Sequence, residues 1–228
     1  GPDTVRYYLT INMPETKDTD WSWSEFQQRN NDQLVATWGN LVNRVLSFSY
    51  KNFDARVPEP GDLSHQDYKL LDKIKSGFDD VGDLLTATKM RAALQEAFKL
   101  AGEVNKYLDD QEPWFAIKSD RDKASRSIYT ALKAIDSLKI IFSPFLPFSS
   151  EKLHQYLGYE GTLFGKQTTR MVIEEKWSYA VLEYSNTTAI GMWEPSELPQ
   201  GQPLRKPFPL FHKLDKDIVS EEMERLGD

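Results

Sequence analysis

Apolar residues recur at helical spacing in four successive segments, and this periodicity limits the possible fold more than any other feature. The four sets are Leu34, Trp38, Leu41, Val42 and Val45; Leu71, Ile74, Phe78, Val81 and Leu85; Met90, Leu94, Ala97, Ala101, Val104 and Leu108; and Ile128, Leu132, Ile135, Leu138 and Phe142. A stripe of about three residues in seven is the face that a helix buries in a bundle. The sequence therefore predicts a mainly α fold, an antiparallel helix bundle.

Shorter helices flank this bundle in the prediction. One covers residues 3–11, and another covers residues 150–157 and ends at Gly158, a residue type common just after helices. The longest predicted helix, over residues 24–49, carries the first apolar set. The expected division of the chain is an N-terminal connection, a helix bundle and a C-terminal appendix, at residues 1–20, 21–158 and 159–228.

The C-terminal appendix differs in character from the bundle. Its short β-branched and aromatic runs predict a small β insertion, either a hairpin or a three-stranded patch. These runs lie at residues 170–175, 179–184 and 189–193. A proline-rich extended tail, 199–209, then leads to a last helix over 217–226. We expect Leu210 and Phe211 to pack against the bundle, and the last helix to lie near residues 6–9.

Composition narrows the possible chemistry. The 228 residues include no cysteine, which excludes disulfides, thiolate zinc sites, iron–sulfur clusters and cysteine nucleophiles. The three histidines are far apart, so no metal site is expected. No apolar run approaches the roughly 20 residues of a membrane span, and no signal-peptide pattern is present, so we expect a cytoplasmic protein. The common phosphate-loop, nucleophile-elbow, zincin and kinase motifs are missing, and no catalytic residue is predicted.

Charge is distributed unevenly along the chain. There are 28 Lys+Arg and 35 Asp+Glu, and the formal net charge of −7 argues against indiscriminate binding to nucleic acid. The segment 114–140 nevertheless has a net charge of +3. That segment is either an ordinary solvated helix face or a local basic surface.

Asn40 and Arg44 form the first polar feature that stands out. They are four residues apart, so they lie one above the other on a helix, beside the apolar stripe, with Gln33 and Ser47 on the same strip. An amide and a guanidinium in this arrangement can bond the edge of a base. An ordinary solvated pair, or a link to a neighbouring helix, fits the same spacing.

Trp114 is the second such feature, because Pro113 precedes it directly after a predicted helix. A tryptophan at this place either fills the core or offers a face on which a base stacks. The neighbouring basic segment favours stacking, since single-stranded bases are held between aromatic faces and basic side chains.

Eight short motifs give the sequence a likeness to a known family. They are Arg6-Tyr7-Tyr8-Leu9, Asp18-Thr19-Asp20-Trp21, Asn30-Asn31-Asp32, Gly39-Asn40-Leu41-Val42-Asn43-Arg44, Asn105-Lys106-Tyr107, Glu112-Pro113-Trp114, Pro144-Phe145-Leu146-Pro147 and Pro209-Leu210-Phe211-His212-Lys213-Leu214-Asp215. In this order they resemble the methionyl-tRNA synthetases, a family of class I aminoacyl-tRNA synthetases. The resemblance covers residues 2–227 apart from about 164–192, a region longer and more β-like than the family usually has.

The resemblance implies that this chain is one part of a larger enzyme. In the family, an N-terminal domain activates methionine with ATP and Mg²⁺ and transfers it to the tRNA. The two ATP-site signatures of that domain, of His-Ile-Gly-His and Lys-Met-Ser-Lys-Ser type, are absent here. The chain is similar to the C-terminal, anticodon-binding half. We therefore expect it to be inactive alone, without a cofactor of its own, and to have the catalytic domain in cis and methionine tRNA as partners.

The resemblance also implies which residues recognise the CAU anticodon. The family uses an Asn and an Arg one helical turn apart, and a Trp after a Pro. These match Asn40, Arg44 and Trp114, with Pro113 fixing the approach. The candidates for flanking phosphates, chosen by charge alone, are Lys118, Arg121 and Arg126.

Two alternatives stay open at this point. The first is the anticodon domain of a related class I synthetase, for cysteine, valine or leucine, although the combined Asn40, Arg44 and Pro113-Trp114 pattern favours methionine. The second is a helical protein-interaction module without RNA contact, in which Trp114 would be buried and the charge of segment 114–140 incidental.

Overall fold

Helices account for most of the chain, as the periodicity predicts. The computed structural model describes residues 1–15 and 17–227. Its α-helices are α1 (Pro2–Ile11), α2 (Trp23–Arg29), α3 (Asn40–Asn52), α4 (His65–Thr86), α5 (Met90–Gln111), α6 (Pro113–Ala116), α7 (Arg121–Phe142), α8 (Pro147–Tyr156) and α9 (Asp217–Leu226). The predicted mainly α class with a small β insertion is confirmed. Within the described ranges, none of the helices combines the length and the apolar character needed to cross a bilayer.

The apolar stripes form the core, in which α4, α5 and α7 pack against one another. Most stripe residues are buried, and Leu70 takes the buried place that the periodicity assigns to Leu71. The start of α4 is fixed by a capping box, in which the Ser64 hydroxyl accepts from the Asp67 amide and the Asp67 carboxylate accepts from the Ser64 amide. The loop before α4 therefore ends at a defined residue.

The long helix predicted over residues 24–49 is not a single α-helix. A π-helix, Asn30–Gly39, interrupts it and connects α2 to α3. Its wider turns pair each amide with the carbonyl five residues earlier, as in the bond from the Asn40 amide to the Val35 carbonyl. A strip calculated for an α-helix is therefore wrong across this segment. Gln33 leaves the Asn40 side of the helix, and its side chain accepts a hydrogen bond from Tyr7 of α1 instead.

The β insertion is a hairpin of two antiparallel strands, β1 (Lys166–Glu174) and β2 (Trp177–Ser185). The hairpin alternative is therefore confirmed, while the run at 189–193 forms only an isolated bridge between Ala189 and Thr162. The chain after the hairpin returns to the bundle through Trp193. The Trp193 indole donates to the Phe78 carbonyl of α4 at 3.1 Å, and its ring meets the Phe78 ring edge to face.

The extended tail packs on the bundle, as the sequence predicts. Leu210 and Phe211 are buried, and a methyl group added at Gly39 would lie only 3.2 Å from the Phe211 ring. Asn31 of the π-helix exchanges two hydrogen bonds of 2.9 Å with the backbone of Leu214. The closing helix α9 packs beside α2, so the expectation that it neighbours residues 6–9 of α1 is wrong.

Candidate nucleic-acid interface

Arg44 and Trp114, which are distant in sequence, come together on one face of the bundle. The guanidinium carbon of Arg44 on α3 lies 5.3 Å from the centroid of the Trp114 ring, a cation–π distance. Phe48, one turn after Arg44, meets the same ring edge to face at 5.3 Å. Arg44 is exposed and Trp114 is half-buried, so part of the indole is fixed by packing and part is open to solvent.

The turn between α5 and α6 positions Trp114 beside Arg44. Glu112 adopts a left-handed conformation, with φ of 48° and ψ of 51°, and its amide donates to the Leu108 carbonyl at the end of α5. Pro113 is buried and starts α6, where its missing amide hydrogen costs nothing. A non-glycine residue at positive φ costs roughly 1 kcal/mol or more. The chain thus keeps a strained residue where the direction of Trp114 is set.

Asn105 and Asp109 of α5 also interact with the Arg44 guanidinium. Arg44 donates from Nη2 to the Asn105 Oδ1 at 2.8 Å, and its Nη1 lies 3.9 Å from an Asp109 carboxylate oxygen. The Asn105 amide also donates to the Thr37 carbonyl of the π-helix at 3.1 Å. Arg44 is therefore oriented by a second helix as well as by the Trp114 ring.

Sequence reasoning assigns no role to Asn105, although the residue belongs to one of the quoted motifs. The available signal was its position beside the buried residues Ala101, Val104 and Leu108 of α5. Asparagine is a poor residue for a helix interior, since its side chain competes for backbone groups. An asparagine at the edge of a buried stripe therefore indicates a specific partner, but the sequence does not say which.

Asn40 is exposed at the junction of the π-helix and α3, one turn before Arg44. Among the described residues its side-chain amide makes no hydrogen bond. The structure thus places Asn40 and Arg44 on the exposed side of the same α-helix, and brings Trp114 against Arg44. Pro113 lies behind Trp114 in the core.

The three candidate phosphate contacts differ in their surroundings. Lys118 is exposed in the turn after α6. Arg121 is exposed at the start of α7, where it donates to the Asn52 carbonyl at 2.8 Å, and its guanidinium lies 5.1 Å from the Phe53 ring centroid. Its cation therefore lies at the C-terminal end of α3, where the helix dipole favours positive charge.

Arg126 has a partner inside the bundle. Its Nε lies 3.2 Å from the carboxylate of Asp67, which is fully buried. The other Asp67 oxygen accepts a hydrogen bond from the Tyr107 hydroxyl, and burial together with this bond raises the pKa of Tyr107. A buried carboxylate needs a compensating charge, and Arg126 supplies it.

Comparison with protein families assigns two stretches of the chain. Residues 57–180 match the model described as the anticodon binding domain of methionyl tRNA ligase. Residues 1–46 match the model of the class I tRNA synthetases (M). Both matches belong to the methionine enzymes, which sets aside the alternative of a cysteine, valine or leucine synthetase.

Individual proteins give the same result over nearly the whole chain. The methionine–tRNA ligases of Chloroflexus aurantiacus and Thermomicrobium roseum are 52% and 48% identical over 98% and 99% of this chain, which spans 37% and 39% of their lengths. A crystal structure of the apo form of Mycobacterium tuberculosis methionyl-tRNA synthetase superposes with a TM-score of 0.75 at 25% identity, covering 93% of this chain and 39% of that one. Because the anticodon-domain model alone matches more than half of its residues, the chain belongs to the methionyl-tRNA synthetase family and carries that family's anticodon-binding domain.

Proposed function

We propose that this chain recognises the CAU anticodon of methionine tRNA through Asn40, Arg44 and Trp114. The observation that carries the proposal is the contact between Arg44 and Trp114, 5.3 Å apart across two different helices, with Asn40 one turn away on the same exposed side. An unpaired base is held by stacking on an aromatic face and by hydrogen bonds to its edge, and these three side chains together offer both.

Stacking supplies the first part of the proposed recognition. The cytosine at the first anticodon position stacks on the open part of the Trp114 indole, which Pro113 and Phe48 hold in place. Stacking of a base on an aromatic ring contributes roughly 1–3 kcal/mol and does not depend strongly on which base is bound. Trp114 therefore provides affinity, and other groups must provide specificity.

Base-edge hydrogen bonds supply the second part. The pairing edge of cytosine presents two acceptors and one amino donor. Arg44 offers only donors and suits the acceptors, whereas the Asn40 amide both donates and accepts. A site built to bond polar groups of a base rejects a base that leaves those groups unpaired. This pairing of roles explains why an arginine and an asparagine occur one turn apart.

Phosphate contacts supply the third part. Lys118 and Arg121 are exposed near α6, and we propose that they hold the backbone flanking the bound base. Arg126 is left out of this proposal because its charge compensates the buried Asp67. Phosphate contacts position the RNA without reading its sequence.

For the full enzyme, we propose the family reaction, in which methionine is attached to its tRNA with ATP and Mg²⁺ by a catalytic domain in cis. In this proposal residues 1–20 form the connection to that domain. Support comes from the hydrogen bonds that attach α1 to the bundle. Arg6 donates to the Pro144 and Phe145 carbonyls, and Asp3 accepts from the Ser149 amide. Among the described residues, no cluster of three or more His, Asp or Glu side chains could hold a metal ion.

The direct test is Trp114→Ala, measured with a fluorescently labelled CAU anticodon stem-loop. We expect binding to weaken by roughly 1–3 kcal/mol because one stacking face is lost. Phe115→Ala is the matched control, since Phe115 is the next residue, is 67% exposed and, in the described structure, has no cation–π contact with Arg44. Equal losses from the two variants would contradict the assignment of Trp114.

A second measurement separates recognition of the base from recognition of the phosphates. Arg44→Ala should weaken binding to CAU more than binding to a stem-loop with a changed first base, whereas the exposed Arg205→Ala should change neither. Lys118→Ala and Arg121→Ala should weaken both stem-loops alike and flatten the salt dependence. If every variant weakened both stem-loops equally, the surface would be basic but unable to recognise the anticodon.

A further inference from the structure

We propose that Asn105 is a positioning residue for anticodon recognition, which fixes the Arg44 guanidinium relative to the Trp114 ring and to the junction that carries Asn40. The proposal rests on the function proposed above. It concerns a side chain that need not touch RNA, and whose effect passes through Arg44.

The carboxamide of Asn105 can be oriented in only one way. Its nitrogen donates to two backbone carbonyls, Thr37 of the π-helix and Ala101 of α5, each at 3.1 Å. Turning the amide over would break both bonds and would point its NH₂ group at the Arg44 guanidinium, which has only donors. The oxygen must therefore face Arg44, and the 2.8 Å bond to Nη2 is held in place by the backbones of two helices.

The other contacts of Arg44 are weaker constraints. Asp109 is 3.9 Å away, and both side chains are exposed, so solvent screening leaves this ion pair weak. An exposed cation–π contact, such as that with Trp114, is also weak because water solvates the cation. Neither contact fixes a hydrogen-bonding direction of the guanidinium. The bond to the half-buried Asn105 does fix one, and it leaves the remaining donors of the fork for a base.

Asn105 also links Arg44 to the π-helix. The Thr37 carbonyl that it binds lies three residues before Asn40, where the π-helix gives way to α3. Because π and α turns differ in width, the place where one changes to the other sets the direction in which Asn40 points. π-helical turns are frequent at functional sites. One side chain on α5 thus fixes Arg44 relative to the helix junction that carries Asn40.

The test measures discrimination, the ratio of dissociation constants for a stem-loop with a changed first anticodon base and for the CAU stem-loop. Asn105→Ala should reduce this ratio by roughly tenfold, the scale of one hydrogen bond to a charged group. Asn105→Asp keeps an acceptor for Arg44 but no longer donates to the Thr37 and Ala101 carbonyls, so it should retain only part of the discrimination. Asn43→Ala is the control, because Asn43 adjoins Arg44 on α3 but bonds Ser47 instead.

A double-mutant cycle shows whether the effect passes through Arg44. In an Arg44→Ala background, Asn105→Ala should change the ratio no further. A loss that is equal for both stem-loops and accompanied by a lower melting temperature would make Asn105 a structural staple and overturn the proposal. So would an additional loss of discrimination in the Arg44→Ala background.

A readout without RNA separates this inference from the proposed function. The ¹⁵N signal of the Arg44 Nε–H group, assigned by its loss in Arg44→Lys, should report a restrained side chain in the wild type. In Asn105→Ala it should report a mobile one, and Asn105→Asp should restore the restraint only in part, because its carboxylate is not anchored by the Thr37 and Ala101 carbonyls. An Arg44 signal unchanged in Asn105→Ala overturns the positioning role, whereas a wild-type chain that restrains Arg44 but does not distinguish the stem-loops overturns the proposed function alone.

Discussion

Two of the clusters that place a cation against an aromatic ring differ in their access to water. In the exposed cluster, Arg44 lies over Trp114 on the bundle surface, 5.3 Å from the ring centroid. In the buried cluster, the Lys139 ammonium lies 4.3 Å from the centroid of the Tyr159 ring. Both cations also have a carboxylate within 4 Å, Asp109 for Arg44 and Asp136 for Lys139. The two clusters contain similar groups, so a comparison between them shows mainly the effect of burial.

In the buried cluster (Asp136, Lys139, His154 and Tyr159), most of the polar groups bond to one another. Lys139 donates to Asp136 at 2.5 Å and lies 3.1 Å from the His154 Nδ1, and the Tyr159 hydroxyl donates to Asp136 at 2.7 Å. Burial lowers the pKa of Lys139 and raises the pKa of Tyr159. The Ser196 hydroxyl also donates to Asp136, which ties the chain after the hairpin to α7.

We propose that this difference distinguishes a surface suited to binding from a cluster that stabilises the fold. In the exposed cluster, solvent screens the charges, the energies holding Arg44 are small, and a ligand can compete for its donors. In the buried cluster, each charge depends on its partner, because a lone charge out of water is costly. We therefore expect changes in the buried cluster to affect stability, and changes in the exposed cluster to affect binding.

The largest effect is expected for Asp136→Ala. This change leaves the Lys139 ammonium, only 3% exposed, without its carboxylate. Breaking one half of a buried ion pair costs about 3–5 kcal/mol, which urea unfolding would measure. Asp109→Ala, the equivalent change in the exposed cluster, should cost less than about 1 kcal/mol. Similar losses from the two variants would contradict the contrast between the clusters.

Acid should weaken the buried cluster through His154. Burial and the nearby Lys139 charge lower the pKa of this imidazole from 6.5 to about 4, so the folded state favours the neutral ring. The unfolded chain takes up the proton near pH 6.5, so the contribution to stability is complete above that pH and is lost as the pH falls toward 4. The full difference corresponds to roughly 3 kcal/mol, since one pKa unit is about 1.4 kcal/mol.

The measurement is the free energy of unfolding between these two pH values for the wild type and for His154→Gln. The wild type should lose stability more steeply as the pH falls, since glutamine does not titrate. His65→Gln serves as the control, because His65 is exposed at the start of α4. A wild type and a His154→Gln variant with parallel pH profiles would show that the buried ring does not resist protonation.

The helices and the principal candidate residues of the site could be predicted from the sequence because their signals are local. Apolar periodicity locates α4, α5 and α7, and the spacing of Asn40 and Arg44 shows that they share a helical face. The motifs around Trp114 add the family resemblance. None of this requires knowing which helices touch.

What the sequence could not reveal depends on tertiary packing. The π-helix has no local signature, and its wider turns moved Gln33 away from Asn40 and toward Tyr7. Lys139 counted as one of the basic residues of segment 114–140, yet it is buried against α8 and the chain around Ser196. From the sequence alone a basic side chain is expected to be solvated, because the partners that bury it are distant in sequence.

Trp114→Ala tests an intermediate case between the two clusters, because Trp114 belongs to the exposed cluster but is half-buried. We expect a loss of about 1–2 kcal/mol in unfolding free energy, since an edge-to-face aromatic pair contributes roughly 0.5–1.5 kcal/mol beyond the area it buries. That loss corresponds to roughly 2–8 °C in melting temperature for a chain of this size. A loss as large as that of Asp136→Ala would make Trp114 a core residue.

The smallest effect is expected for Arg44→Ala, measured as the free energy of unfolding at low and high salt. Arg44 is exposed, and its pair with Asp109 at 3.9 Å is long, so both the ion pair and the cation–π contact are weakened by water. The expected loss is about 1 kcal/mol or less, and salt should reduce it further because exposed charges are screened.

Arg44→Ala matters because we expect it to combine a small loss of stability with a large loss of discrimination between anticodons. A side chain that is held in place by Asn105 but hardly stabilises the fold is one whose orientation serves a ligand. If Arg44→Ala instead destabilised the chain as strongly as Asp136→Ala, and equally at both salt concentrations, Arg44 would be a structural cation like Lys139. The exposed cluster would then stabilise the fold as the buried cluster does. No guanidinium near Trp114 would be available to bind a base.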